Sequence, residues 1–103
     1  MAADVFAVLA NPVRREILSL LRDGPRAVND LAGHFALGRP AVSEHLQVLR
    51  RAGLVREEPR GQHRYYHLDA APLAEVDDWL TPFERLWRQR LRRLRDVLDE
   101  ENR

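Results

Sequence analysis

The chain contains neither cysteine nor lysine among its 103 residues. Without thiols it can form no disulfide framework, no thiolate metal site and no cysteine nucleophile. All 17 basic residues are therefore arginine, which we attribute to a GC-rich coding sequence. No apolar run reaches the roughly 18 residues that cross a bilayer. The first residues also lack the leading positive charge and the long apolar stretch of a signal peptide, so we expect a cytoplasmic protein with no membrane partner.

Positive charge is concentrated in the middle of the chain. Hydrophobic residues make up 45% and charged residues 32%, which is typical of a folded globular protein, and the length suits a single domain over 1–103. The net charge is only +1, yet residues 39–68 carry six arginines against three glutamates. In the segments on either side, acidic residues match or outnumber arginine. A local excess of this size is compatible with a nucleic-acid partner.

Helix signals precede this basic segment and open it. The stretch "NPVRREILSLLRDGP" has an asparagine cap, proline at the first helical position and a Gly-Pro stop. A short helix over 3–10 is predicted before it and a third helix over 27–37 after it. The fourth helix begins at Arg39 and runs to Ala52, where Gly53 supplies a left-handed stop. Only about three residues separate the third and fourth helices, as in a helix-turn-helix.

One side of the fourth helix is almost entirely polar. At about 100° per residue, Val42, Leu46 and Leu49 fall on the other side and predict a buried stripe. The polar side carries groups that can hydrogen-bond to base edges or to phosphates. In an arbitrary helix such a face would indicate only a solvated surface. Whether this face binds DNA is therefore judged from the segments that flank the helix. Its members are Arg39, Pro40, Ser43, Glu44, Gln47, Arg50 and Arg51.

A short basic hairpin follows this helix directly. In "LVREEPRGQHRYYHL" apolar and polar residues alternate, and Arg-Gly marks the turn. A helix-turn-helix followed by such a hairpin is a winged helix, in which the helix enters the major groove and the wing reaches the backbone or the minor groove. We therefore predict a mainly α winged helix-turn-helix with a small β-hairpin: four helices, two strands and a fifth helix. Its predicted partner is double-stranded DNA, contacted by the polar face and by Arg60, Gln62 and Arg64 of the wing.

The fifth helix is expected to be interrupted. Asp69 can cap a helix that runs to residue 80. The next four residues, "TPFE" at 81–84, have the pattern of a capping box with Pro82 at the first helical position. We expect a break or a kink near Pro82 and a second helical part that ends at about residue 100.

The end of the chain predicts a homodimer. From Trp87 to Leu98, apolar residues are spaced by four, three and four positions, which is typical of paired helices, while arginines fill the faces between them. Segments 70–101 and 3–10 are the predicted dimerisation helices; packing of the last helix on its own domain is the alternative. The predicted interface residues are Phe6, Leu9, Trp79, Phe83, Trp87, Leu91, Leu94 and Leu98.

The four histidines indicate neither a metal site nor catalysis. His63 and His67 lie on a strand, where four residues span roughly 13 Å, too far to share one ion. His45 is expected at the buried edge of the fourth helix and His34 at the surface. Ser43 precedes Glu and His, but adjacent helical positions point about 100° apart and cannot form a relay. We predict no metal, no cofactor and no enzymatic activity, and no pattern indicates a small-molecule or protein inducer.

Several stretches resemble the ArsR-type winged-helix repressors of bacteria. They are "LANPVRREILSLL", "VNDLAGHFALGRPAVSEHLQVLRRAGLV" and "RYYHL", and "AVSEHLQVLRRAGLV" is the most specific. The later "PLAEVDDWL" and "FERLWRQRLRRL" resemble the branch of small autorepressors without metal sites, and the match runs from about Leu9 to Leu98. The resemblance implies a homodimer that binds an inverted-repeat operator near its own promoter.

The chain departs from the family pattern at three places. Ala27 stands where the family often caps the third helix with Ser or Thr, and Gly38 stands where Ser often opens the fourth. Since Ala is a poor cap, the third helix is expected to start loosely. The cysteine-containing third-helix motif of the metal-sensing members is absent.

A winged helix used only for protein–protein contacts is the alternative function. Glu44 in the middle of the polar face would suit it, because a carboxylate repels phosphate. A glutamate can also accept a hydrogen bond from cytosine N4, so Glu44 is compatible with DNA as well. RNA is less favoured, because no aromatic stacking platform is visible on a sheet.

Overall fold

A computed structural model describes residues 4–102. Over this range the chain is mainly helical and carries a small antiparallel sheet, as predicted. The elements in chain order are α1 (Val5–Leu9), α2 (Pro12–Leu21), β1 (Arg26–Ala27), α3 (Val28–Ala32), α4 (Arg39–Arg51), β2 (Val55–Arg60), β3 (His63–Leu68) and α5 (Leu73–Glu101). The short helix predicted over 3–10 is α1, and residue 3 lies outside the described residues.

The core lies between α2, α3, α4 and the hairpin of β2 and β3. The predicted apolar side of α4 is fully buried, and Tyr66 of β3 covers it from the hairpin. Complete burial of each aliphatic side chain contributes about 1.5–3 kcal/mol, so this stripe fixes how α4 is rotated and leaves its polar face outward. The largest fully buried side chains are Ile17, Leu31, Val42, Leu46, Leu49 and Leu54.

Local signals place the ends of α2 and α4 correctly. The side-chain oxygen of Asn11 accepts hydrogen bonds from the backbone amides of Val13, at 2.9 Å, and Arg14, at 3.2 Å. At the end of α4, Gly53 has φ +76°. The amide of Gly53 bonds to the carbonyl of Arg50 and that of Leu54 to Leu49, both at 3.0 Å. This is the Schellman arrangement, so both the predicted cap and the predicted stop are confirmed.

The third helix is shorter than predicted. It ends at Ala32, and the turn to α4 covers residues 33–38 rather than about three residues. Ala27 and Gly38 make no side-chain cap, as expected from the sequence. After Ala32 the chain continues in tight turns, with the amide of Phe35 bonded to the Ala32 carbonyl at 3.2 Å. Glycine at position 33 ends the helix because it loses more backbone entropy than other residues in a helix.

The sheet has a strand that the sequence did not predict. Its order is β1-β3-β2, all antiparallel, and β1 pairs through Arg26 with Tyr66 and through Ala27 with Tyr65. A two-residue strand is too short to show an alternating pattern. The predicted hairpin turn is confirmed: Gly61, with φ +59°, is the first of two turn residues, and no other described residue of the turn has positive φ.

Two expectations about the caps of α5 are wrong, and of the break or kink expected near Pro82 the break does not occur. The helix is continuous through this residue. The hydroxyl of Thr81 donates to the carbonyl of Asp77 at 2.8 Å instead of capping a new helix. Asp69 closes a turn by accepting from the amide of Ala71 at 3.1 Å, and α5 begins only at Leu73. Proline costs the helix one backbone bond, but the surrounding turn is exposed, so water can satisfy the freed carbonyl.

Most of α5 projects from the rest of the molecule, so that the whole measures 65 × 32 × 21 Å. Leu73 and Val76 pack against the core, and Trp79 contacts Phe6 of α1 edge to face, with ring centroids 5.8 Å apart. From Pro82 to residue 102 every residue is exposed to solvent. Among the described residues no helix combines the length and the apolar character needed to cross a membrane.

Candidate DNA-binding surface

The polar face of α4, which we call the recognition helix, lies on the outside of the molecule. Arg39, Pro40, Glu44, Arg50 and Arg51 are exposed, whereas Ser43 and Gln47 are partly covered. The structure therefore brings the seven predicted residues of this helix to one face. Within residues 4–102, the side chains of Arg39, Ser43 and Glu44 form no hydrogen bond with another residue.

His45 lies at the buried edge of the recognition helix, as predicted. Its Nδ1 accepts a hydrogen bond from Nε of Arg14 at 3.2 Å, and the same guanidinium donates to the carbonyl of Val8 at 3.4 Å. Arg14 thus ties α1, α2 and the recognition helix together. These contacts hold the recognition helix in place and give His45 a structural role.

Gln47 is engaged at both ends of its amide. Its Nε2 donates to the hydroxyl of Tyr66 at 3.4 Å, and its Oε1 accepts from Nε of Arg50 at 3.0 Å. Burial, reinforced by the nearby Glu57 carboxylate, raises the pKa of the Tyr66 hydroxyl, so the group stays protonated at neutral pH. Gln47 therefore links the recognition helix to the hairpin, and a contact with a base would require it to exchange these partners.

The hairpin of β2 and β3, which we call the wing, has two distinct faces. Its register pairs Val55 with Leu68 at the base and Arg60 with His63 at the tip. Residues that pair across strands share a face, and the faces alternate along each strand. One face, with Tyr66, turns toward the core, and the other turns outward.

Both arginines of the wing tip are paired with glutamates. On the face toward the core, Nη1 of Arg64 lies 3.0 Å from Oε1 of Glu57. On the outer face, Nε of Arg60 lies 2.5 Å from Oε1 of Glu58, and its guanidinium stands 4.7 Å from the centre of the Tyr65 ring. Arg60 and Arg64, two of the three residues predicted for DNA contact in the wing, are thus engaged within the protein itself.

Glu58 also has a second polar neighbour on the same face of the wing. Its Oε2 lies 2.6 Å from Nε2 of His67, at an ion-pairing distance but not in hydrogen-bonding alignment. The Arg60 guanidinium, with the His67 imidazole adding to it, holds the pKa of the Glu58 carboxyl below its usual range. In return, the Glu58 carboxylate raises the pKa of Arg60. Both members of the Glu58–Arg60 pair are therefore charged at neutral pH.

A cleft joins the recognition helix to the wing tip. It has a volume of about 110 Å³ and brings Arg39 beside Gln62 and Arg64, which the sequence placed on separate elements. Asn29 and His63 also line it, and the sequence did not indicate either as a site residue. Their presence follows from the pairing of β1 with β3, which draws the start of α3 to the wing. The lining residues are Ala27, Val28, Asn29, Arg39, Gln62, His63 and Arg64.

The histidines are dispersed over separate contacts. His34 is exposed near Arg26, with 3.4 Å between Nε2 and Nη1, while His45 and His67 have the partners described above. Across residues 4–102, no group of three or more His, Asp or Glu side chains is placed to hold a metal ion.

Comparison with known proteins identifies the family. The model described as "Bacterial regulatory protein, arsR family" matches residues 11–57, from the cap of α2 into β2. The chain is 41% identical over 96 residues to the HTH-type transcriptional regulator Rv2034 of Mycobacterium tuberculosis, covering 93% of this chain and 87% of that protein. It is 35% identical over 80 residues to the transcriptional repressor SdpR of Bacillus subtilis, covering 78% and 89%.

Solved structures agree in fold. A crystal structure described as a possible transcriptional regulator for arsenical resistance superposes with a TM-score of 0.72 at 42% identity, over 95% of this chain and 97% of the other. A second, of an ArsR family transcriptional regulator, gives a TM-score of 0.71 at 31% identity, over 85% and 97%. The winged helix and its relatives thus lead to one conclusion: this chain belongs to the ArsR family and is a DNA-binding transcriptional regulator, not an enzyme.

Proposed function

We propose that the protein is a homodimeric repressor that binds an inverted-repeat operator, including one near its own promoter. The observation that carries this proposal is the cleft in which Arg39 of the recognition helix meets Gln62 and Arg64 of the wing. Arg39, which is suited to a base edge, and Arg64, which is suited to a phosphate, therefore lie along one cleft. A duplex that receives the recognition helix in its major groove can therefore meet the wing on its backbone.

The recognition helix supplies the base contacts in this proposal. Arg39 is exposed at its first turn and suits bidentate bonding to guanine, and Glu44 can accept from cytosine N4. Gln47 can contact adenine after it leaves Tyr66 and Arg50. Pro40 and Ser43 lie on the same face of the recognition helix and are proposed to contact the DNA as well. Arg50 and Arg51, in the last turn, are proposed to contact phosphates.

The wing is proposed to contact the backbone or the minor groove through Arg60, Gln62 and Arg64. All three are exposed at its tip. Such contacts carry little sequence information, so they add affinity for every duplex and make binding salt-dependent.

The exposed side of α5 supports the dimer. We define the apolar seam as Trp87, Leu91, Leu94 and Leu98, whose exposed fractions lie between 42% and 64%. Apolar patches of this kind on an otherwise charged helix commonly mark a protein interface. In the proposal, 70–101 and α1 dimerise, with the seam extended by Phe83, Trp79 and Phe6; Leu9 already packs partly against its own core. Two-fold pairing would space the recognition helices by about one DNA turn, roughly 34 Å.

The proposed DNA contacts place the protein in the same compartment as the DNA, which in a bacterium is the cytoplasm. A winged helix that binds only proteins has lost support, because the relatives are named as transcriptional regulators and repressors. Footprinting on the DNA upstream of the gene tests the proposal directly. We expect two protected half-sites related by a dyad, and equal affinity for this duplex and a scrambled one would refute sequence-specific binding.

A further inference from the structure

The wing carries nearly as much negative as positive charge. It has Arg56, Arg60 and Arg64 against Glu57 and Glu58. DNA-contacting elements gain affinity by neutralising phosphates with arginine and releasing counterions. Carboxylates beside the very guanidinium groups that should do this oppose that gain. The two glutamates therefore need an explanation beyond solubility of the hairpin.

The pairing is arranged so that each tip arginine has its own glutamate on its own face. Glu57 meets Arg64 at 3.0 Å on the face toward the core, and Glu58 meets Arg60 at 2.5 Å on the outer face. A carboxylate and a phosphate bind the N–H groups of a guanidinium in the same way. They therefore compete for the donors that they both use.

The glutamates are the less exposed members of both pairs. The side chain of Arg64 is 67% exposed against 19% for Glu57, and that of Arg60 is 52% exposed against 33% for Glu58. A phosphate can thus reach the arginines from solvent, while the carboxylates stay close by on the strand. Ion pairs as exposed as these are weak, so they can be exchanged and do not lock the wing.

We propose that Glu57 and Glu58 set the DNA affinity of the wing by occupying Arg64 and Arg60 in the free protein, so that backbone phosphates must displace them. The proposal rests on the proposed role of the wing in backbone contact. Because the wing reads no sequence, the glutamates lower the affinity for target and non-target DNA by the same factor. The ratio of the two affinities is then set by the recognition helix, while the glutamates reduce how tightly the protein is held on every duplex.

The test removes the two charges and keeps the side-chain shapes. We would compare Glu57→Gln/Glu58→Gln with wild type by fluorescence anisotropy, on an operator duplex and a scrambled duplex, at several salt concentrations. The double variant should bind both duplexes about three- to tenfold more tightly near physiological salt. Its plot of log K against log salt should be steeper by about one to two units for each bound subunit.

Two controls separate release of the arginines from a general change in charge. Glu16→Gln/Asp23→Asn alters the net charge equally through two exposed residues, one in α2 and one just after it, outside the surfaces proposed for DNA binding and dimerisation, and should leave affinity and slope nearly unchanged. The second control repeats the glutamate changes in an Arg60→Ala/Arg64→Ala background. There the gain should largely disappear, because no guanidinium remains to be released.

Three results would overturn the proposal. One is unchanged affinity and slope in Glu57→Gln/Glu58→Gln; the single variants give the same answer if the double variant is poorly folded. Another is an equal gain with and without the two arginines, which would mean that the glutamates merely repel DNA. The third is a wild-type protein that binds no duplex at all. Equal binding of operator and scrambled DNA would instead refute only the sequence-specific function, because the wing effect is measurable on any duplex.

Discussion

Replacing Leu91 and Leu94 by glutamate places two charges in the middle of the apolar seam of α5. Complete burial of a leucine side chain is worth about 1.5–3 kcal/mol. Leu91 is 42% exposed and Leu94 56% exposed, so a partner helix would remove roughly half of that surface from water. Four such side chains in a dimer give about 3–6 kcal/mol. At 1.4 kcal/mol for each tenfold change, dimerisation should weaken by roughly two to four orders of magnitude.

Sedimentation equilibrium at micromolar concentration measures this effect. The wild-type protein should sediment at about twice the chain mass of 12.0 kDa, and Leu91→Glu/Leu94→Glu at the chain mass. On a helix Gln89 and Arg93 point away from the seam, at about 100° per residue. Gln89→Glu/Arg93→Gln adds the same negative charge there and should remain a dimer. If the glutamate variant is poorly folded, Leu94→Ala should still raise the dimer dissociation constant. A wild-type monomer that footprints a single half-site would refute the reasoning.

Three further predictions concern DNA and metals. Arg39→Ala should weaken operator binding by about 1–3 kcal/mol and relax the sequence preference, which competition against scrambled DNA would reveal; an equal loss on both duplexes would assign Arg39 to the backbone. Arg60→Ala and Arg64→Ala should each weaken binding to all sequences alike and flatten the salt slope by about one unit for each bound subunit, and an unchanged slope in the double variant would count against the wing contacts. Micromolar zinc or nickel should leave operator affinity unchanged; specific release at one ion per subunit would show that a metal site exists.

Much of the fold follows from short-range patterns in the sequence. The cap at Asn11, the stop at Gly53 and the turn at Gly61 each depend on the conformational preference of one residue and its immediate neighbours. The apolar stripe of the recognition helix depends only on helical spacing. For this reason the helix-turn-helix, the wing and the outward polar face could be predicted before the structure was known.

Capping patterns alone were not reliable in the second half of the chain. Asp69 and the "TPFE" pattern at 81–84 satisfy the composition of helix caps, yet α5 starts at Leu73 and passes through Pro82. A side chain caps a helix in this way when the backbone of the capping residue itself lies outside the helical region of φ and ψ. Here the helix continues through Pro82 although proline removes one backbone hydrogen bond and crowds the preceding turn, and the exposure of that turn lets water satisfy the freed carbonyl.

The sequence by itself determined which side of the recognition helix faces outward and which residues stand at the tip of the wing. Only the tertiary structure decided what those residues touch. Arg39 and Arg64 line the same cleft although they lie on separate elements. Gln47 is held by Tyr66 because the hairpin folds back on the recognition helix. The pairing of Glu57 with Arg64 depends on the register of the two strands. Contacts between distant residues follow from packing, and no local pattern in the chain encodes them.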